Sequence, residues 1–243
     1  LMIEGLCRIG SILQDDRGRV WYCSRHGVFY IEDINQATLQ TQKLDIISED
    51  TLPRNRIRSI CQDKDGNIWF ASQGGGVYCL KEGEVGKGNI IHFKNEPHNP
   101  TSLMNDRVYD VCADRDGNVW AATGFGLAKY SYDTERFTGY NGLNGFDFNF
   151  VYDIECDRNN DLWLSTDNDL IHFRPNSDGG PTMKQLTEYD GVPFKEIYSY
   201  ALSMSDSGRL YVAGLRGFRS EFYRFYPEDL EENKHIPPVA ITD

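Results

Sequence analysis

An all-β fold, a β-propeller of four-stranded antiparallel blades, is what three observations on this 243-residue chain predict. One phrase is written five times, as QDDRGRVW, QDKDGNIW, ADRDGNVW, CDRNNDLW and MSDSGRLY. Its closing aromatics, Trp21, Trp69, Trp120, Trp163 and Tyr211, stand 48, 51, 43 and 48 residues apart, which suits the period of propeller blades. Apolar residues alternate before each phrase, and no helix-period segment of useful length separates the copies, so a parallel sheet with crossover helices is excluded.

Each copy reads as a blade from its inner strand outward. The pairs Ile57 and Ile60, Val108 and Val111, Val151 and Ile154 mark a buried first strand. An acid then opens a turn at Asp15, Asp63, Asp114 and Asp157, with Ser205 as the fifth equivalent, because a carboxylate can accept backbone N–H bonds there. Three residues on, Gly18, Gly66, Gly117 and Gly208 stand where a hairpin needs positive φ. Asn160 is the one exception and the next best residue for that conformation. Two places after the large aromatic comes a small residue, Cys23, Ala71, Ala122, Ser165 or Ala213, as close stacking of neighbouring sheets requires. A second turn at Gly27, Gly76, Gly126 and Gly217, with Asp169 in the fourth copy, leads into a third strand. A weaker outer strand, as in NIIHFK and RFTGY, completes the blade, and the fifth copy carries an insertion before FYRF.

The segment VYDVCADRDGNVWAATGFGLAKY resembles the two-component regulator propeller repeat, and the resemblance extends over nearly the whole chain. It implies the periplasmic, extracytoplasmic sensor region of a hybrid two-component histidine kinase of the kind found in polysaccharide-harvesting gut bacteria, where sensors carry many more than five repeats. Residues 1–230 are then propeller, and 231–243 resemble the linker into a following immunoglobulin-like domain. Implied partners are the remaining blades, that domain and a second copy in a homodimer. A first residue of Leu inside an apparent repeat suggests a piece of something longer.

Composition narrows the function. Hydrophobic residues at 40% and aromatics at 13% suffice for a sizeable core, which argues against disorder. A net charge of -12 repels phosphate backbones and anionic head groups, so nucleic acid is excluded as a partner and an oligosaccharide or other small neutral ligand is expected. The six cysteines form no CxxC pair and read as buried thiols. No cofactor or metal is expected: QGGG lacks the lysine and helix of a phosphate loop, and DKDGN and DRDGN lack the closing glutamate of a calcium loop.

One rim of a propeller is where the turns between second and third strands meet the connections between blades, and it is the expected binding face. The turns supply Arg25, His26, Gln73, Phe125, Asp167, Asn168 and Arg216; the connections supply Arg56, Arg107, Asn149, Phe150 and Tyr198. Planar hydrogen-bonding groups beside aromatic faces suit sugar hydroxyls and the apolar face of a pyranose. Ordinary polar turns are the plainer account of the same residues. The aromatic segments YNGLNGFDFNF and YDGVPFKEIYSY are expected to pack over the channel or against a second propeller. A propeller hydrolase or lyase using paired carboxylates is the alternative, with Asp110, Asp153 and Glu155 as candidates, yet no catalytic residue is assigned because most recurrent acids are accounted for by turns. A protein-interaction scaffold is the third reading.

Overall fold

The computed structural model describes residues 9–24, 26–46, 56–87, 89–166, 169–176, 178–187, 190–192, 196–216 and 219–230. Five antiparallel sheets follow one another along the chain as blades of a β-propeller. Blade 1 holds β1 (Ile9–Gln14), β2 (Val20–Ser24), β3 (Gly27–Ile31) and β4 (Gln42–Leu44). Blade 2 holds β5 (Arg56–Gln62), β6 (Ile68–Gln73), β7 (Gly76–Leu80) and β8 (Ile90–Phe93). Blade 3 holds β9 (Val108–Ala113), β10 (Val119–Thr123), β11 (Gly126–Ser131) and β12 (Arg136–Tyr140). Blade 4 holds β13 (Asp153–Cys156), β14 (Leu162–Ser165), β15 (Leu170–Arg174) and β16 (Thr182–Leu186). Blade 5 differs from the expected four strands: its described residues form three, β17 (Glu196–Met204), β18 (Leu210–Arg216) and β19 (Arg219–Phe225). The first strands, β1, β5, β9, β13 and β17, pack successively beside one another and so line the axis.

The core consists of blade interfaces. Each blade turns one face toward its predecessor and the other toward its successor, and four buried clusters fill the four gaps. Trp21, Cys23 and Val28 of blade 1 meet Ile57, Ile60 and Phe70 of blade 2. Trp69, Ala71 and Val77 meet Val108, Val111 and Val119. Trp120, Ala122 and Leu127 meet Val151, Ile154 and Leu164. Trp163 and Leu170 meet Ile197, Leu210 and Val212. The small residue two places after each tryptophan is what lets the next sheet approach, since interiors pack at crystal-like density. The thiols of Cys23 and Cys79 are buried among these residues, and desolvation pushes them up to about 11 and about 12, so they act as small hydrophobes.

The turn acid does more than shape the bend. Asp63 Oδ1 accepts the backbone N–H of Asp65 and Asn67 at 3.0 and 2.9 Å, while Oδ2 accepts the indole N–H of Trp69 at 2.6 Å. The same indole bond recurs at 2.8 Å for Trp21 to Asp15, 2.8 Å for Trp120 to Asp114 and 3.0 Å for Trp163 to Asp157. Asn160 takes φ 64°, matching the turn glycines of the other copies. Gly76 is required twice over: φ is +80°, and a Cβ there would stand 2.2 Å from the Phe93 carbonyl oxygen.

The aromatic segment near residue 145 goes elsewhere than over the channel. Phe148 is buried in the interface of blades 3 and 4, and Phe146 packs against it and against Tyr140 and Phe173. In the second segment Val192 joins the interface of blades 4 and 5. The expected linker at 231–243 lies outside the described residues.

Asp114→Ala leaves the Trp120 indole N–H and the Asn118 backbone N–H without their acceptor, and urea titration is expected to show a loss on the order of 3 kcal/mol. Ser165 occupies the small-residue position with a buried hydroxyl that has no hydrogen-bond partner among the described residues. Ser165→Ala is therefore expected to stabilise the chain by about 1 kcal/mol in the same assay.

Candidate functional site

Hydrogen bonds across blades build the expected rim. The Gly74 and Gly76 N–H groups of blade 2 both donate to the Asp106 carbonyl, at 2.9 Å each, in the connection entering blade 3. Val151 N–H, in the connection entering blade 4, donates to the Thr123 carbonyl of blade 3 at 3.1 Å, while within blade 3 Gly124 N–H donates to the Arg107 carbonyl at 2.9 Å. Gln73 and Arg107 form an isolated antiparallel bridge between blades 2 and 3. Turn and connection thus meet because each supplies the other's missing backbone partner.

Of the residues expected there, Gln73, Arg107, Phe125 and Phe150 are brought together. Gln73 Oε1 accepts both Nε and Nη2 of Arg58, at 2.8 and 2.6 Å, which fixes the amide and guanidinium planes. Arg107 is exposed; Phe125 is exposed too, on the turn between β10 and β11. The Phe150 ring lies 6.4 Å from Tyr152, which packs 5.2 Å from Tyr109. Arg56 is the first residue of β5, paired in register with Gln73, and His26 is exposed in the turn between β2 and β3. Asn149 is exposed beside Phe150. Tyr198 corrects its expected place: it lies within β17, in an irregular stretch between Ile197 and Leu202, because the inner strand of blade 5 begins earlier than its counterparts. Arg216 is the last residue of β18. Arg25, Asp167 and Asn168 lie outside the described residues.

Three rim residues were not picked out from the sequence. Arg58, Tyr109 and Tyr152 share one repeat position, five residues before the turn acid, where the inner strand faces the axis near its start. The signal was present in the recurring VYDV and VYDI, whose tyrosine is neither a core aliphatic nor a turn residue.

The inner-strand carboxylates are tied into the scaffold. Asp110 Oδ2 accepts the Ile154 N–H of the next blade at 2.8 Å, and Asp153 Oδ2 accepts the Leu202 N–H at 3.1 Å. Each carboxylate therefore clasps the strand beside it. Glu155 accepts the Met204 N–H, but desolvation, with the charges of Asp110 and Asp153 adding to it, pushes its carboxyl up to about 8. Burial raises Asp110 to about 6. In blade 4, Asp157, Asp161 and His172 bring three possible ligand atoms within 4.8 Å of one another. The His172 Nε2 lies 2.8 Å and the Arg174 Nε 3.4 Å from the same Asp161 oxygen, so that oxygen already faces a guanidinium where a cation would bind. The ring of His172 is stacked 4.4 Å from Trp163.

Residues 51–74, 102–125 and 145–168, which span the rim connections and turn phrases of blades 2, 3 and 4, match the two-component regulator propeller family. Three of the five blades thus carry segments similar to the two-component regulator propeller repeat. The chain is 24% identical to a stretch of histidine kinase P4 of Formosa agariphila, an alignment that covers 64% of this chain and 14% of that kinase. The extracellular domain of the hybrid two-component system BT3049 of B. thetaiotaomicron superposes with a TM-score of 0.77 at 20% identity, over all of this chain and 31% of that one. A virginiamycin B lyase from Staphylococcus aureus has the same fold, with a TM-score of 0.63 at 14% identity over 90% of this chain and 69% of its own. The repeats thus span a minor part of the two sensor-type relatives. No helix among the described residues is long and apolar enough to cross a membrane.

Glu155 makes stability depend on pH. Its folded value of about 8 lies above the ordinary 4.5, so its contribution is full below pH 4.5 and is lost as pH rises through about 8. Glu155→Gln removes that loss. Urea midpoints are expected to favour the variant at about pH 9 and to converge with the parent's at about pH 4; an equal difference at both would show that Glu155 binds its proton alike in the folded and unfolded chain.

Proposed function

We propose that this chain is the ligand-sensing part of an extracytoplasmic receptor region, that its rim takes a carbohydrate or oligosaccharide, and that the signal passes to a histidine kinase. The observation that carries this reading is the rim itself: Arg58 and Gln73 fix each other's planar groups, Gln73 bridges to the exposed Arg107, and the rings of Phe150 and Tyr152 stand together with the buried Tyr109 behind them. Aromatic faces bury the apolar side of a sugar ring, and a few fixed polar groups select among its hydroxyls. The sensor role and extracytoplasmic location are supported by the likeness to the BT3049 extracellular domain and by the family match. Signalling requires that the ligand bind one arrangement of the receptor better than another. The other partners we propose are an immunoglobulin-like domain after the propeller, the receptor's remaining blades and a second receptor copy.

The lyase fold likeness does not favour an enzyme over this reading. Asp110 and Asp153 accept backbone N–H groups of the neighbouring blade, which spends their oxygens on the scaffold.

A thermal-shift screen against defined neutral oligosaccharides tests the proposal. At least one is expected to raise the melting temperature, with Arg107→Ala weakening its binding about tenfold, or about 1.4 kcal/mol, while the unliganded midpoint stays put because Arg107 is exposed. A shift that Arg107→Ala and Phe125→Ala both leave intact would place the ligand off this rim, and no shift with any oligosaccharide would remove the carbohydrate reading.

A further inference from the structure

Blade 2 closes its rim with two side chains that bond each other, and blade 3 leaves the same two positions open. Arg58 and Tyr109 are equivalents, five residues before the turn acid, and each is the unpaired residue of a β-bulge. Ile57 and Ser59 pair with Ser72 and Ala71 on either side of Arg58, as Val108 and Asp110 pair with Thr123 and Ala122 on either side of Tyr109. A bulge re-aims the side chain it carries. In blade 2 that side chain meets Gln73, whose Oε1 accepts Nε and Nη2 of Arg58. The equivalent of Gln73, four residues after the tryptophan, is Gly124 in blade 3, so no side chain answers Tyr109.

Two observations mark this opening as a subsite. Tyr109 is 8% exposed, yet its hydroxyl makes no hydrogen bond among the described residues, where a buried tyrosine ordinarily finds a partner. Nor is that hydroxyl sealed from water, as the unpartnered Ser165 hydroxyl is. Gly124, for its part, is not demanded by the backbone: its φ lies outside the left-handed region, and a Cβ there would meet Arg107 Cβ at 3.4 Å and both Asn105 Oδ1 and Phe150 Cε1 at 3.6 Å, which are ordinary contacts. The turn is also fixed, since the Thr123 hydroxyl accepts the Phe125 N–H at 3.1 Å and donates to the Gly126 carbonyl at 2.8 Å. A side chain would fit at 124, and its absence keeps a slot clear between Arg107 and Phe150.

Resting on the carbohydrate reading of the rim, we infer that this slot is its selective subsite: the hydroxymethyl arm of a hexose residue enters over Gly124 and its hydroxyl bonds Tyr109 Oη, so that hexose oligosaccharides are preferred to pentose ones. The arm projects from the sugar ring, is no longer than the start of the glutamine side chain it replaces, and carries a hydroxyl that donates and accepts as the phenol does. Phe150 and Tyr152, stacked at 6.4 Å, supply aromatic surface for the ring itself.

The test titrates the chain calorimetrically with neutral disaccharides: gluco-, galacto- and manno-configured hexose pairs, each α- and β-linked, beside xylobiose, which is cellobiose without the arm. A hexose disaccharide is expected to bind. Its 6-deoxy derivative and Tyr109→Phe are each expected to weaken binding about tenfold, with no further loss when the two are combined, because one hydrogen bond is removed either way. Gly124→Gln, which gives blade 3 the side chain that blade 2 has, is expected to abolish binding. Xylobiose is expected to bind at least about tenfold more weakly than the hexose and to be indifferent to Tyr109→Phe. Neither substitution is expected to move the unliganded melting temperature by more than about 2 °C, as the lost hydroxyl has no partner among the described residues and Gly124 lies outside the left-handed region. A hexose that Arg107→Ala weakens but Tyr109→Phe and Gly124→Gln leave bound, or xylobiose bound at least as tightly as any hexose, would overturn this inference and leave the rim reading standing. If no sugar binds, or the one that binds ignores all three substitutions, both readings fall.

Discussion

A single buried carboxylate holds each of blades 1 to 4 to its shape. Asp15, Asp63, Asp114 and Asp157 are almost wholly buried, and each divides its two oxygens between the backbone of a hairpin turn and the indole N–H six residues on. A tryptophan brings the largest apolar surface of any residue into an interface, but its N–H must find an acceptor when buried. The turn acid supplies one and is itself repaid by backbone donors, so hairpin geometry and core filling become one interaction. Blade 5 shows the converse. The Ser205 hydroxyl can still cap the turn through Arg209 N–H at 3.0 Å, but it makes no such bond to Tyr211, which is half-buried against Phe222 at 5.6 Å.

Because the core is a series of interfaces, stability is distributed as it is in repeat proteins, with each unit depending on its neighbours. The connections take part in the same packing. Leu103, in the connection from blade 2 to blade 3, is fully buried in their shared cluster, and the Thr101 carbonyl accepts the Phe137 N–H at 2.9 Å. A connection pinned in this way delivers Asp106 and Arg107 to the turn of the blade before, and the rim is the outcome of that stitching.

Backbone geometry and packing that recur were legible in the sequence; polar contacts and features that occur once were not. Asn160 could be placed at positive φ because four glycines define its position, and the small residues after each tryptophan declared the close approach of sheets. The indole bond to the turn acid was hidden although it recurs, since alternation places side chains on faces but does not say which polar atoms converge. Phe146 and Phe148 have no counterparts, so nothing in the repeat told that they fill the interface of blades 3 and 4 instead of crossing the channel. Asp161 and His172 are a similar case: the side-chain amides of Asn67 and Asn118 donate to their turn acids, whereas the Asp161 carboxylate has no proton to give and turns to His172 and Arg174.

The division between scaffold and rim falls between adjacent positions of the inner strand. Three residues before the turn, Ile60, Val111 and Ile154 are held aliphatic by the blade in front. Four before it, Asp110 and Asp153 reach across to a neighbouring N–H, a role that limits the position to short acceptors, and Ser59 bonds back to Asp110. Five before it the side chain meets the axis near the rim, and the occupants differ freely, as Gly10, Arg58, Tyr109 and Tyr152. That position varies in kind even where it is packed, as at Gly10, where a Cβ would meet the Cys23 sulfur at 3.2 Å, and at the buried Tyr109. Its arginine and tyrosines give the rim a hydrogen-bonding, aromatic character on an otherwise acidic protein, while the carboxylates that would favour hydrolysis are drawn one residue deeper into the joints between blades.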